Sequence, residues 1–122
     1  SIFKIHHLDK LWKGVRHEKS ILMESITLDS LIIREDINEN YDALVLDTQG
    51  SELLVLEGAS NLLNKIKYIK TEVADFEAYQ NGCQFKDIDI FLADYGFKRI
   101  RQHKFRSKDN IGSYYDILYK KT

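Results

Sequence analysis

The chain reads as an α/β fold, a three-layer sandwich around a mostly parallel sheet that ends in a C-terminal antiparallel hairpin. Three observations predict it. Apolar runs of strand length, "ALVL" and "YIKTEV", alternate with segments of helical period. Ala43 to Leu46 is apolar at every position, the pattern of a strand covered on both faces. Two strand-forming runs then flank the turn-rich "SKDNIGS" near the C-terminus, as in a hairpin.

Taken in order, "SILMES" (Ser20 to Ser25) has the length and apolar content of a short strand. In "TLDSLIIRE", Thr27 is placed to cap a helix whose first turn carries Asp29, since a hydroxyl satisfies an orphan amide and a carboxylate suits the positive helix end. Ala43 to Leu46 forms the next strand and ends on Asp47. After Gly50, "SELLVLEGASNLLNKI" spaces Leu53, Leu56, Leu63 and Ile66 as the buried side of one helix. "YIKTEV" is the second strand of buried type, followed by the polar loop "FEAYQNGCQ". Phe85, Ile88, Phe91, Leu92 and Tyr95 fall at helical spacing, and Gly96 sits where a left-handed C-terminal cap is expected. "FKRIRQHKF" and "YYDILYK" complete the hairpin.

The composition narrows the function classes. A chain of 122 residues is one domain, residues 1–122, able to bury roughly two thirds of its unfolded surface. With Lys+Arg 18 against Asp+Glu 19 the net charge is -1, which exerts no global pull on nucleic acid or an anionic membrane. Cys83 is the only cysteine, so no internal disulfide forms, and a reducing cytoplasm is the simplest compartment. No apolar run approaches the roughly 20 residues of a membrane span, and the first ten residues lack the apolar centre of a signal peptide.

The chemistry is sought where the apolar strand ends on a carboxylate. In open α/β sheets ligands bind beyond the carboxyl ends of the strands, and Asp47 and Glu72 lie at or near that edge on successive strands. Glu52 follows in the first helical turn. The alternative is structural: Asp47 and Glu52 would serve only the helix N-terminus, and Glu72 would face solvent. A divalent metal on Asp47, Glu72 and Asp75 is allowed by ligand type alone. His6, His7 and Asp9 read as solvated residues with no assigned role. "KRIRQHKFR" interleaves Lys98, Arg99, Arg101, Lys104 and Arg106 with Phe97 and Phe105, either a single-strand nucleic-acid platform or an edge strand kept soluble by charge, the reading we adopt.

These residues carry a resemblance. "LDTQGSELLVLEGASNLL" resembles the D-x-[QE]-G-x-E-x-x-x-L-x-G-A signature of FkbM-type methyltransferases. "TLDSLI", "KTEV", "AYQNG", "LADYGF" and "DILYKK" follow that family's order from Thr27 to Lys121, with residues 1–26 poorly matched. The resemblance implies a class I methyltransferase-like fold, S-adenosyl-L-methionine as donor, and a sugar or metabolite hydroxyl as acceptor. It implies Asp47 as the leading base with Glu72 as the second. Asp47, Gln49 and Gly50 then border the donor, Gly50 because backbone approaches closely without a Cβ, and Glu52 orients Asp47's surroundings or touches substrate.

One part of the pattern is missing. The six glycines are isolated, so no G-x-G turn exists to cradle the donor. With Ser1 in place of a methionine, we expect a C-terminal part of such an enzyme lacking its N-terminal strands. That part would be inactive by itself and bind the donor weakly. We further expect the Leu44–Leu46 edge to be covered, by "SILMES" folding back or by a second chain. The competing function is a non-catalytic module that binds protein or nucleic acid.

Overall fold

The computed structural model describes residues 1–122. After a 3-10 turn at Leu8–Lys10, the chain forms α1 (Leu28–Arg34), β1 (Ala43–Leu46), α2 (Glu52–Glu57), α3 (Ser60–Leu63), β2 (Tyr68–Ala74), α4 (Phe85–Ala93), β3 (Phe97–Lys108) and β4 (Gly112–Lys121). The strands make one four-stranded sheet in the order β1-β2-β4-β3. Only β1 and β2 are parallel, while β2 with β4 and β3 with β4 are antiparallel. The sheet is therefore mixed, which corrects the mostly parallel expectation: the hairpin inserts β4 beside β2, so two of the three pairings are antiparallel. The hairpin itself lies where its turn signal put it, with β3 at the edge and bulged between Arg99 and Arg101 and between Lys104 and Arg106.

Several local signals act as written. Thr27 Oγ1 accepts the amide of Ser30 at 3.1 Å and starts α1. At the start of α4 a cap that the sequence reading did not name is present, the Gln84 amide donating to Asp87 Oδ2 at 2.8 Å and the Asp87 amide to the Gln84 carbonyl at 3.0 Å. Gly96 stops that helical run with φ +81.

Packing overrides local signals elsewhere. The helix expected after Gly50 breaks between α2 and α3, because Thr27 lies against Gly58, where an added Cβ would meet Thr27 Cβ at 3.0 Å. Asp29 crosses this junction and accepts the amides of Asn61 at 2.8 Å and Leu62 at 3.2 Å, so it caps α3. The expected "SILMES" strand does not form. Ile21, Leu22 and Met23 are 70%, 102% and 75% exposed, because neither a strand edge nor an apolar face meets this segment. The Leu44–Leu46 edge is accordingly unpaired within the chain, and β1 bonds to β2 alone.

The main core lies between one sheet face and α2, α3 and α4. Leu46 on β1, Ile69 and Val73 on β2, and Tyr115, Ile117 and Tyr119 on β4 meet Leu56, Leu63, Ile88 and Leu92 there. The opposite face is covered only at one end, where Leu8, Leu11 and Trp12 pack with Phe76 and Tyr114. Along the rest of it Val45 is 69% exposed. Two layers replace the expected three: all helices from α2 onward put their apolar residues into one core, and the second face of β1 stays open. No helix is long and apolar enough to cross a membrane.

Candidate active site

The site begins with register. Leu46 pairs with Thr71 across the parallel strands, and both are buried on the helix side. Side chains alternate along a strand, so the next residues, Asp47 and Glu72, emerge together on the opposite face. Their proximity shows in their electrostatics: partial burial raises the Glu72 pKa above the usual carboxylate range, and the charges of Asp47, Asp116 and Glu52 add to it. Asp47, Gln49 and Glu72 line one cavity of about 400 Å³.

The chain between β1 and α2 is shaped by Glu52. Its carboxylate, 1% exposed, accepts the amides of Thr48 at 2.8 Å and Gly50 at 3.0 Å, and Cys83 Sγ lies 3.5 Å from Oε2. Gln49 and Gly50 both have positive φ, 56 and 97, so the chain reverses sharply here and its free amides need an acceptor. Glu52 supplies it from below. The structure does not bring Glu52 to the cavity, where the sequence reading allowed it to touch substrate.

Gly50 stands apart from the cavity as well. A Cβ there would lie 3.0 Å from Tyr79 Cδ2, and its carbonyl accepts the Cys83 amide at 3.0 Å, so its missing side chain admits Tyr79. Asp75 is engaged elsewhere, accepting from the Ser113 amide at 2.7 Å and the Tyr115 hydroxyl at 3.2 Å. The Cys83 thiol is pushed up to about 12 by burial, which makes it a poor nucleophile.

Other cavity residues come from places the sequence reading left without a role. Trp12 and Tyr114 pack edge to face with ring centroids 5.1 Å apart, and both line the cavity with Tyr79, Arg16 and His17. The N-terminal segment reaches the site because the amides of His6 and Leu8 bond to the Ala78 carbonyl at 2.9 and 3.2 Å and Gln80 bonds back to Lys4. Burial raises the Tyr79 hydroxyl to about 12, with Glu52, Asp47 and Glu72 adding to the shift. No local pattern marks Trp12, whose ring is placed against Tyr114 from the far end of the sequence.

The arrangement has a chemical preference. The carboxylates and aromatic rings of this cavity suit a positively charged group, through charge and through cation–π attraction, while Arg16 in the same lining suits an anionic one. A family model described as Methyltransferase FkbM domain matches residues 4–99 of the 122. No curated protein and no solved structure matches the chain.

Proposed function

The chain belongs to the FkbM methyltransferase family, and from that membership we propose that it serves the S-adenosylmethionine-dependent O-methylation of a sugar or metabolite hydroxyl. The observation that carries this reading is that Asp47 and Glu72, each one residue beyond the Leu46–Thr71 pair of the parallel strands, line one cavity with Trp12, Tyr79 and Tyr114.

The residues fit the cationic end of such a donor. Burial first, and then the charges of Asp47, Asp116 and Glu52, raise the Glu72 pKa against the opposing charge of Lys70, so negative charge gathers beside Glu72, where a sulfonium would relieve it. When bound, S-adenosylmethionine supplies an electrophilic methyl group. Tyr79 and Tyr114 would lie beside the cation, with Gln49 at the rim, while the Trp12 ring already carries the Arg106 guanidinium at 4.9 Å.

A neutral alcohol is a weak nucleophile, so a base must accept its proton as the new bond forms. Asp47 and Glu72 are the two candidates. Glu72 holds a proton more readily than an ordinary glutamate, which strengthens it as an acceptor. Asp47 follows directly on β1 and is held by the turn that Glu52 supports.

The test is transfer of an isotope-labelled methyl group from S-adenosylmethionine to a panel of sugar hydroxyls by the full-length protein that carries these residues. Transfer that disappears in the Asp47→Asn, Glu72→Gln double variant supports the reading. Absence of transfer across the panel, together with retained binding of a protein or nucleic-acid partner, would replace it with a non-catalytic module.

A further inference from the structure

The open face of the sheet is sorted by charge. Cross-strand partners share a face, so the registers define rows. The row at the cavity carries Glu72, Asp116 and His103, extended on β1 by Asp47. One step back, Val45, Lys70, Leu118 and Arg101 stand in line. The row behind that holds Ala43, Tyr68, Lys120 and Lys98. Acidic groups therefore border the cavity, and four cations occupy the next two rows.

These cations are largely uncommitted. Lys70 reaches Asp116 only at 3.8 Å with 54% of its side chain exposed, Lys98 and Arg101 form no ion pair, and Lys120 lies over the Tyr68 ring at 5.9 Å without an ion pair. By contrast, Arg99 on the helix side is bound to Asp89 at 2.6 Å, and Arg106 donates to the Leu11 carbonyl at 3.1 Å. Protection of the sheet edge accounts for charge on β3. It gives no reason for Lys70 and Lys120, which lie on the interior strands β2 and β4. A depression of about 650 Å³ is lined by Lys70, Arg101, His103, Asp116 and Leu118.

We propose that the methyl acceptor is an anionic sugar lying across this face, with its reacting hydroxyl at Asp47 and Glu72 and its phosphate or carboxylate on Lys70 and Arg101. The inference rests on the methyltransferase reading and adds the acceptor class to it. Spacing supports it: Glu72 and Lys70 are two residues apart on one strand face, about 7 Å, on the scale of one sugar ring with its substituents. Leu118, half-buried between Lys70 and Arg101, offers an apolar surface for the ring. Arg101 suits a planar carboxylate or a phosphate by bidentate bonding, and Lys70 adds a point charge.

The test is an amide-resolved NMR titration of the 122-residue chain with glucose 6-phosphate, glucuronate, glucose and inorganic phosphate. Both anionic sugars should shift the amides of Lys70, Arg101 and Leu118, and the stronger of the two identifies the anion. Glucose should leave them in place, and inorganic phosphate should bind more weakly than the phosphorylated sugar. Replacing Lys70 and Arg101 with glutamine should weaken binding about tenfold or more, the scale of losing charged hydrogen bonds. The Lys120→Gln variant, one row back, should lose less. Equal shifts with glucose, unmoved amides with both anionic sugars, or tighter binding of a single-stranded oligonucleotide of matched charge would overturn the proposal. The two readings fail separately: sugar binding without methyl transfer by the full-length protein removes the methyltransferase, and methyl transfer without charge preference removes the anionic acceptor.

Discussion

The Glu52 carboxylate accepts the Thr48 amide at 2.8 Å, which ties a buried acid on α2 to the residue that follows Asp47. The same carboxylate takes the Gly50 amide at 3.0 Å. A charged acceptor thus sits under a turn whose amides have no ladder to join, and hydrogen bonds of this kind are about twice as strong as neutral ones.

Glu52→Gln keeps the shape but turns an N–H₂ group toward backbone donors. Leaving a buried donor unmatched costs about 1 to 3 kcal/mol. Urea unfolding should show a lowered midpoint with an unchanged slope. An unchanged midpoint would mean that the turn holds itself.

Asp47 is exposed, and no hydrogen bond ties it to the fold. Asp47→Asn should therefore shift stability by no more than about 0.5 kcal/mol. In an active enzyme that carries these residues it should lower kcat about a hundredfold, the scale of losing a general base. Unchanged turnover would remove Asp47 from the transfer step and leave Glu72 as the base.

Glu72 carries a pH signature. Its folded pKa lies above the unfolded value near 4.5, because burial and then Asp47 disfavour the charged form. The folded chain binds the proton more tightly, so this contribution is fully present below about 4.5 and is lost as pH rises through the folded pKa. Glu72→Gln removes the dependence. The variant should match or exceed the parent in stability at pH 7, and the difference should shrink by pH 4. Chemical denaturation at the two pH values checks this, and a variant less stable at pH 7 would contradict it.

β1 pairs with β2 on one side only, and Val45 is 69% exposed beside that edge. Unpaired strand edges recruit other strands. Light scattering of the 122-residue chain should show association that grows with concentration, and Val45→Lys should weaken it. A chain that stays monomeric at millimolar concentration would show that the open edge is sufficiently solvated.

Local chemistry was legible in the residues alone. Thr27, Gly96 and the "SKDNIGS" turn each act within about four residues, through a cap, a left-handed turn or a hairpin reversal, and each element stands where its signal lies. The adjacency of Asp47 and Glu72 was also foreseeable, because successive parallel strands bring their carboxyl ends to one edge. Contacts distant in sequence decided the rest. Asp29 left its own helix to cap α3, with Asn61 32 residues away. Glu52 turned inward to the amides of its turn, and Trp12 closed over Tyr114. "SILMES" had the composition of a strand, but a strand needs a partner for its backbone, and composition cannot supply one. The apolar run of β1 predicted cover on two faces, whereas only packing determines where the helices go, and they went to one.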